Sequence, residues 1–195
     1  MKKLTAVLIT LLFAYTGISQ GIFRVQAGPV FSYLNAEGNS ADFSSLNPGY
    51  TFGAAYEMIT TKNFSIQPEL NFTHLKAKES ITSSEVKFDY IQIPVLLKAV
   101  NNKRNFSFYL GPQLGFLTKA TLHQSGNSSD IKDDLTQTDF AGTLGIEYLF
   151  PGNISLNARY TQGFSNVYKA EFDSPNTTRH QIFALTVGYL FMKKK

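Results

Sequence analysis

The chain has 195 residues, a formal net charge of +4, 16% charged and 14% aromatic residues, and neither cysteine nor tryptophan. That length suits one domain. The missing cysteine excludes disulfides, thiolate zinc sites, cysteine nucleophiles and a lipid-modified N-terminal cysteine. Lys and Arg are scattered rather than gathered into a stripe interleaved with aromatics, which argues against a nucleic-acid partner.

Met1-Lys2-Lys3 is a positive n-region, Leu4 to Phe13 an apolar core broken only by Thr5 and Thr10, and Gly17-Ile18-Ser19 offers small residues at −3 and −1 of a cleavage site. Residues 1–19 therefore read as a secretory signal peptide and 20–195 as the domain it exports. Beyond the leader no stretch approaches the roughly 20 apolar residues of a spanning helix. The best run, Ile91 to Leu97, contains Pro94 and ends at Lys98.

Seventeen phenylalanines and ten tyrosines recur at every second position within segments, the period of a strand. Phe23, Val25, Ala27, Pro29, Phe31 and Tyr33 alternate with Arg24, Gln26, Gly28 and Ser32 to give the first strand. Tyr50 to Met58 and Phe64 to Thr73 are the second and third. In the fourth, Phe88 to Val100, the face holding Gln92 and Lys98 also holds Tyr90, Pro94 and Leu96, so it is half apolar. Phe106 to Phe116, Phe140 to Tyr148, Ile154 to Thr161 and Phe183 to Phe191 complete eight, an even count as single-chain bacterial barrels require.

Connection lengths alternate. Residues 35–48, 75–85, 119–138 and 165–180 are long and rich in turn formers, whereas 59–63, 101–105 and 150–153 are short. Long external loops and short periplasmic turns are the habit of outer-membrane barrels. The expected fold is all-β: an eight-stranded antiparallel up-and-down transmembrane barrel in the outer membrane, apolar outside, with a polar interior filled by side chains. Tyr33, Tyr50, Tyr56, Tyr148, Tyr160 and Tyr189 are placed for interfacial girdles.

The inward faces carry Gln26, Gln67, Asn71, Gln92, Gln113 and Asn157, together with Arg24, Glu57, Glu69, Lys98, Glu147 and Arg159. An eight-stranded interior is only wide enough for side chains. Those six charges are therefore expected to pair as a structural network that plugs the barrel. Pro29, Pro68, Pro94 and Pro112 resist the scheme, since each removes a ladder hydrogen bond inside an expected strand.

Candidate chemistry is sparse. His74 beside Thr73, or His180 with Ser174, would suit a lipid-modifying barrel enzyme, but no spacing supplies nucleophile, base and orienting carboxylate together. Solvated or interfacial histidines are the plainer reading, for His123 as well. Asp130, Asp133, Asp134 and Asp139 form an acidic cluster that matches no calcium-loop template and is interrupted by Lys132; a solvated loop touching ions that bridge lipopolysaccharide is the simpler account. No cofactor, metal site or catalytic residue is expected.

The segments FSIQPELNF (64–72), FDYIQIPVLLKAV (88–100), YLGPQLGFL (109–117) and ISLNARYTQGFSNV (154–167) resemble the PorT-like outer-membrane β-barrel family of Bacteroidota. The resemblance runs from Val25 to Phe191 and implies an eight-stranded outer-membrane barrel with no catalytic constellation; the family's founding member is linked to secretion of surface proteases. The tail Met192-Lys193-Lys194-Lys195 departs from barrels that end on a terminal aromatic. The expected function is a non-enzymatic envelope component, structural or partner-docking. Its partners are outer-membrane lipid and lipopolysaccharide, the barrel assembly machinery, and proteins reached through the external loops, within or outside a secretion machine. A small lipid A or phospholipid enzyme and a soluble periplasmic carrier of apolar ligands are the alternatives.

Overall fold

A computed structural model describes residues 21–36, 47–78, 85–124, 127–132, 135–165 and 178–191. The expected leader, Ser174 and the Lys tail lie outside them. Among the described residues there are nine strands: β1 (Gly21–Ala36), β2 (Asn47–Ile59), β3 (Phe64–Lys78), β4 (Glu85–Val100), β5 (Phe106–Gln124), β6 (Asn127–Asp130), β7 (Thr138–Leu149), β8 (Ile154–Gly163) and β9 (Thr178–Phe191). Eight of them close a barrel. Neighbours in sequence pair antiparallel, β5 bonds both β4 and β7, and β1 bonds both β2 and β9, with Phe23 opposite Tyr56 on one side and Phe191 on the other. The ninth strand, β6, is a short hairpin partner for the outer end of β5, pairing Asp130 with Thr121.

Closure leaves none of the eight barrel strands as an open edge, which a membrane-spanning sheet requires because lipid offers no hydrogen bonds to backbone groups. Along each strand alternate side chains face lipid: Phe52, Leu70, Leu97, Leu110, Leu144, Leu156 and Val187 are among the exposed apolar residues, while Arg24, Gln67, Lys98, Tyr109 and Asn157 are buried inside. The three short connections and both barrel termini share one end. There Gly152 and Asn153 take left-handed conformations in the β7–β8 turn, and so does Arg104, with φ 53°, between β4 and β5.

The prolines sit neither at rims nor at bulges. Each pairs with one neighbour and lies at a break in the ladder to the other. Pro29 faces Tyr50, while the β1–β9 ladder skips from Ala27 to Val30. Pro68 faces Val95, while β2–β3 skips from Ala55 to Met58. Pro94 and Pro112 face Gln113 and Gly142, at the breaks in β3–β4 and β4–β5 respectively. A residue that cannot donate a ladder hydrogen bond costs least where no bond is made. The preceding glycines serve the same breaks: a Cβ on Gly28 would overlap the Leu185 carbonyl, and one on Gly111 the Val95 carbonyl.

Candidate functional site

The lumen is stratified. Nearest the short turns, Lys98 Nζ lies 2.9 Å from Glu57 Oε2 and 3.0 Å from Glu147 Oε1, and donates to Gln67 Oε1 at 3.0 Å. Arg24 donates to Glu147 Oε2 through Nη1 and to Gln67 Oε1 through Nη2 at 2.8 Å, with Glu57 3.6 Å away. Arg104 reaches back from its turn to Glu57 Oε1 at 2.7 Å, Ser65 Oγ at 3.2 Å and the Lys62 carbonyl at 3.1 Å. Beneath these ties, at the short-turn end, lies a cavity of about 240 Å³ bordered by Ile22, Lys103 and Leu190.

One level further in, Arg159 holds both oxygens of Glu69. Gln26 and Asn71 also donate to Glu69 Oε2, and Gln67 Nε2 donates to Oε1 at 2.6 Å. Gln67 therefore joins the two charge groups, accepting from Arg24 and Lys98 and donating to Glu69. The Tyr109 hydroxyl donates to Asn157 Oδ1, and its ring lies under the Arg159 guanidinium at 5.4 Å. Above them, Thr73 donates to Gln92, and Thr143 donates to Gln113. Only about 20 Å³ of space remains between these residues.

The outer end is different in kind. Val30, Leu75, Phe88, Tyr90, Leu117, Ala120, Ile182 and Ala184 make an apolar cluster, and Leu135, from the connection between β6 and β7, inserts into it at 2% exposure with Ile131 alongside. The interior is thus polar through the membrane and apolar beneath the outer rim.

All six charged residues named from the sequence lie inside, in two bonded groups, Arg24, Glu57, Lys98 and Glu147 in one and Glu69 with Arg159 in the other. Arg104, in a turn, is absent from that list, and Gln67 enters the sequence reading only as an inward-facing polar residue; a two-residue period carries no information about a turn residue that folds back. The enzyme candidates separate. Thr73 faces the lumen, whereas His74 faces outward, 2.6 Å from Asp89 and stacked on Tyr50. His180 is buried against Asp139 at 3.2 Å. The acidic cluster is also divided, with Asp139 turned inward and Asp130 exposed on β6; Asp133 and Asp134 lie outside the described residues.

A closed antiparallel barrel with an apolar outer band and a filled polar lumen defines an outer-membrane β-barrel protein. Residues 13–169 match the model of the family described as outer membrane protein beta-barrel domain, and the chain belongs to that family. No curated protein sequence matches it significantly. Among solved structures it is similar to Ail, the attachment invasion locus protein of Yersinia pestis, at 19% identity and TM-score 0.57, covering 88% of this chain and 99% of that one. It is also similar to Neisserial surface protein A, at 16% identity and TM-score 0.60, covering 87% and 97%.

Proposed function

We propose that this protein is a non-enzymatic component of the outer membrane that braces the envelope and docks partners at its outer rim. It would be exported by residues 1–19, assembled by the barrel assembly machinery and embedded among lipopolysaccharide. It would be a member of the PorT-like barrels of Bacteroidota that its segments resemble. The observation that carries this reading is the lumen: Arg24, Glu57, Glu69, Lys98, Glu147 and Arg159 are tied across it and Leu135 covers it, so the interior serves cohesion and the outer rim is left for recognition. Affinity purification of the full chain from native outer membranes tests it; a stoichiometric partner lost on replacing the β6–β7 connection supports docking, and an unaccompanied barrel overturns it.

One observation favours a second reading, a lipid-acting enzyme. His74 and Asp89 pair on the lipid-facing side near the outer rim, a base with an orienting carboxylate. Altered lipid A or phospholipid profiles on His74→Ala would establish it; identical profiles in wild-type, variant and deletion strains would remove it. The outer-membrane placement sets aside the soluble carrier.

A further inference from the structure

We propose that the cavity at the short-turn end of the lumen is a binding site for a small organic monoanion, a carboxylate on a compact apolar body, taken up from the side that the short turns face. The proposal goes beyond docking at the outer rim and does not depend on it.

The inward positions change character at this mouth. Ile22 comes two residues before Arg24 on β1, Val100 two after Lys98 on β4, Leu149 two after Glu147 on β7 and Leu190 two after Gly188 on β9, so each keeps the inward parity of its strand. All four border the cavity of about 240 Å³. Val100 and Leu190 are buried, Ile22 and Leu149 half-buried. Outward apolar residues on these strands answer to lipid; these four do not. They form an apolar collar drawn from both sides of the ring, with β4 standing away from β9 and β1. A concave apolar lining with a few convergent polar groups is the usual make-up of a small-molecule site.

Above the collar the lumen is charged, and the charges do not balance. Arg24, Lys98 and Arg104 share Glu57 and Glu147, three cations to two carboxylates. Arg159 and Glu69, one level further in, match each other. The remaining carboxylates among the described residues, Glu85, Asp89, Asp130 and Asp139, belong to the outer ends of their strands. Arg24 and Lys98 are each 1% exposed, and buried charge is costly until it is matched. The surplus therefore falls to Arg104, whose side chain is 29% exposed on the cavity wall. Lys103 beside it is exposed, borders the same cavity and has neither an ion pair nor a hydrogen bond among the described residues. Three of the five residues in this turn are asparagine, Asn101, Asn102 and Asn105, yet the left-handed position with φ 53° holds Arg104. Strain of this kind collects at functional sites.

One surplus positive charge above an apolar collar calls for one negative charge on an apolar body. A cation is repelled by Arg104 and Lys103, and the two carboxylates that border the cavity are each already held by two cations. A phosphate dianion would exchange its hydration for hydrocarbon on most sides. Size follows from volume, since 240 Å³ is the space of about eight waters. A carboxylate the size of benzoate suits that space. A long acyl chain does not, because the ties of Lys98 and Arg24 close the cavity above.

Fluorine NMR on the full barrel in neutral detergent, with empty micelles as the blank, tests this with three probes of one shape: para-fluorobenzoate, para-fluorobenzamide and para-fluorobenzylammonium. The wild type should bind the carboxylate roughly tenfold more tightly than the amide or the ammonium. Lys103→Glu should weaken that binding roughly tenfold, and Val100→Phe, which fills the collar, should abolish it. Lys119→Glu, the same charge change at an exposed outer-end lysine, should bind as wild type. A heat-modifiable band on a gel confirms that each variant is folded. Equal binding of the amide overturns the carboxylate assignment. Carboxylate binding that Lys103→Glu leaves unweakened, or that folded Val100→Phe keeps, overturns the site. No binding by the wild type overturns the proposal, and if binding then appears in a chain ended at Phe191, the cavity is filled by the chain's own end instead.

Discussion

Arg159 on β8 grips Glu69 on β3 with both terminal nitrogens, Nη1 to Oε2 at 2.8 Å and Nη2 to Oε1 at 2.9 Å. In the ring of eight strands β3 and β8 are diametrically opposite, so this fork spans the full width of the lumen. Bidentate geometry of this kind is available to arginine and not to lysine.

Arg159→Leu should therefore lower the temperature at which the barrel unfolds in detergent, because Glu69 would remain buried and unmatched at a cost of about 3–5 kcal/mol. Glu69→Leu/Arg159→Leu should recover much of the loss. Heat-modified gel migration measures both; a single variant as stable as wild type would show that the fork contributes no cohesion.

Arg104 holds a left-handed backbone, φ 53°, while its guanidinium contacts Glu57. A non-glycine residue there costs roughly 1–2 kcal/mol. Arg104→Gly should accordingly be more stable than Arg104→Ala by about that amount, since both lose the ion pair and only glycine relaxes the turn. Equal unfolding temperatures for the two would remove strain from the account.

Leu135→Ala should destabilise the outer cap by about 2–5 kcal/mol, the range for emptying a buried leucine site. Hydrogen exchange at backbone amides localises the effect: Leu117, whose N–H donates to the Gln137 carbonyl, should lose protection, while Ser107 and Glu147 at the far end should not. Uniform loss along the strands would mean that the cap and barrel unfold together.

Gly111→Ala puts a methyl group into the Val95 carbonyl at a ladder break. The folded fraction recovered on refolding into detergent should fall, whereas Gly152→Ala, with open space around it though strained by φ +90°, should reduce it less. The reverse order would show that the breaks tolerate side chains.

Most of the barrel was legible because lipid imposes a strict two-residue period. Phe64 and Ile154 open their strands, and Val100 and Phe191 close theirs, where that period begins and ends. The period failed where strands outrun the membrane. Beyond Phe116 it has no lipid to answer to, so the sequence pattern places 119–138 in a loop where β5 in fact continues to Gln124 and pairs with β6. Leu117 and Ile182 continue inward faces just beyond the strands as read, and Phe88 lies on the face read as half apolar; that they gather in one apolar cluster is hidden because alternation distinguishes two faces but not two heights within the lumen. The His180–Asp139 and His74–Asp89 contacts depend on register between strands, which single-strand patterns do not encode.

The ties inside the lumen also make the strand number self-checking. Arg24 on β1 reaches Glu147 on β7, Glu57 on β2 reaches Lys98 on β4, and Arg159 reaches Glu69 across the whole ring, so apart from the Arg24–Glu57 contact between β1 and β2 these ties skip at least one strand. A sheet wound only part of the way carries ions without counterions on its concave side. Pairing β1 with β9 brings Arg24 to Glu147 and Arg159 to Glu69 in a single closing step, which gives the finished ring a sharp thermodynamic distinction from every shorter one.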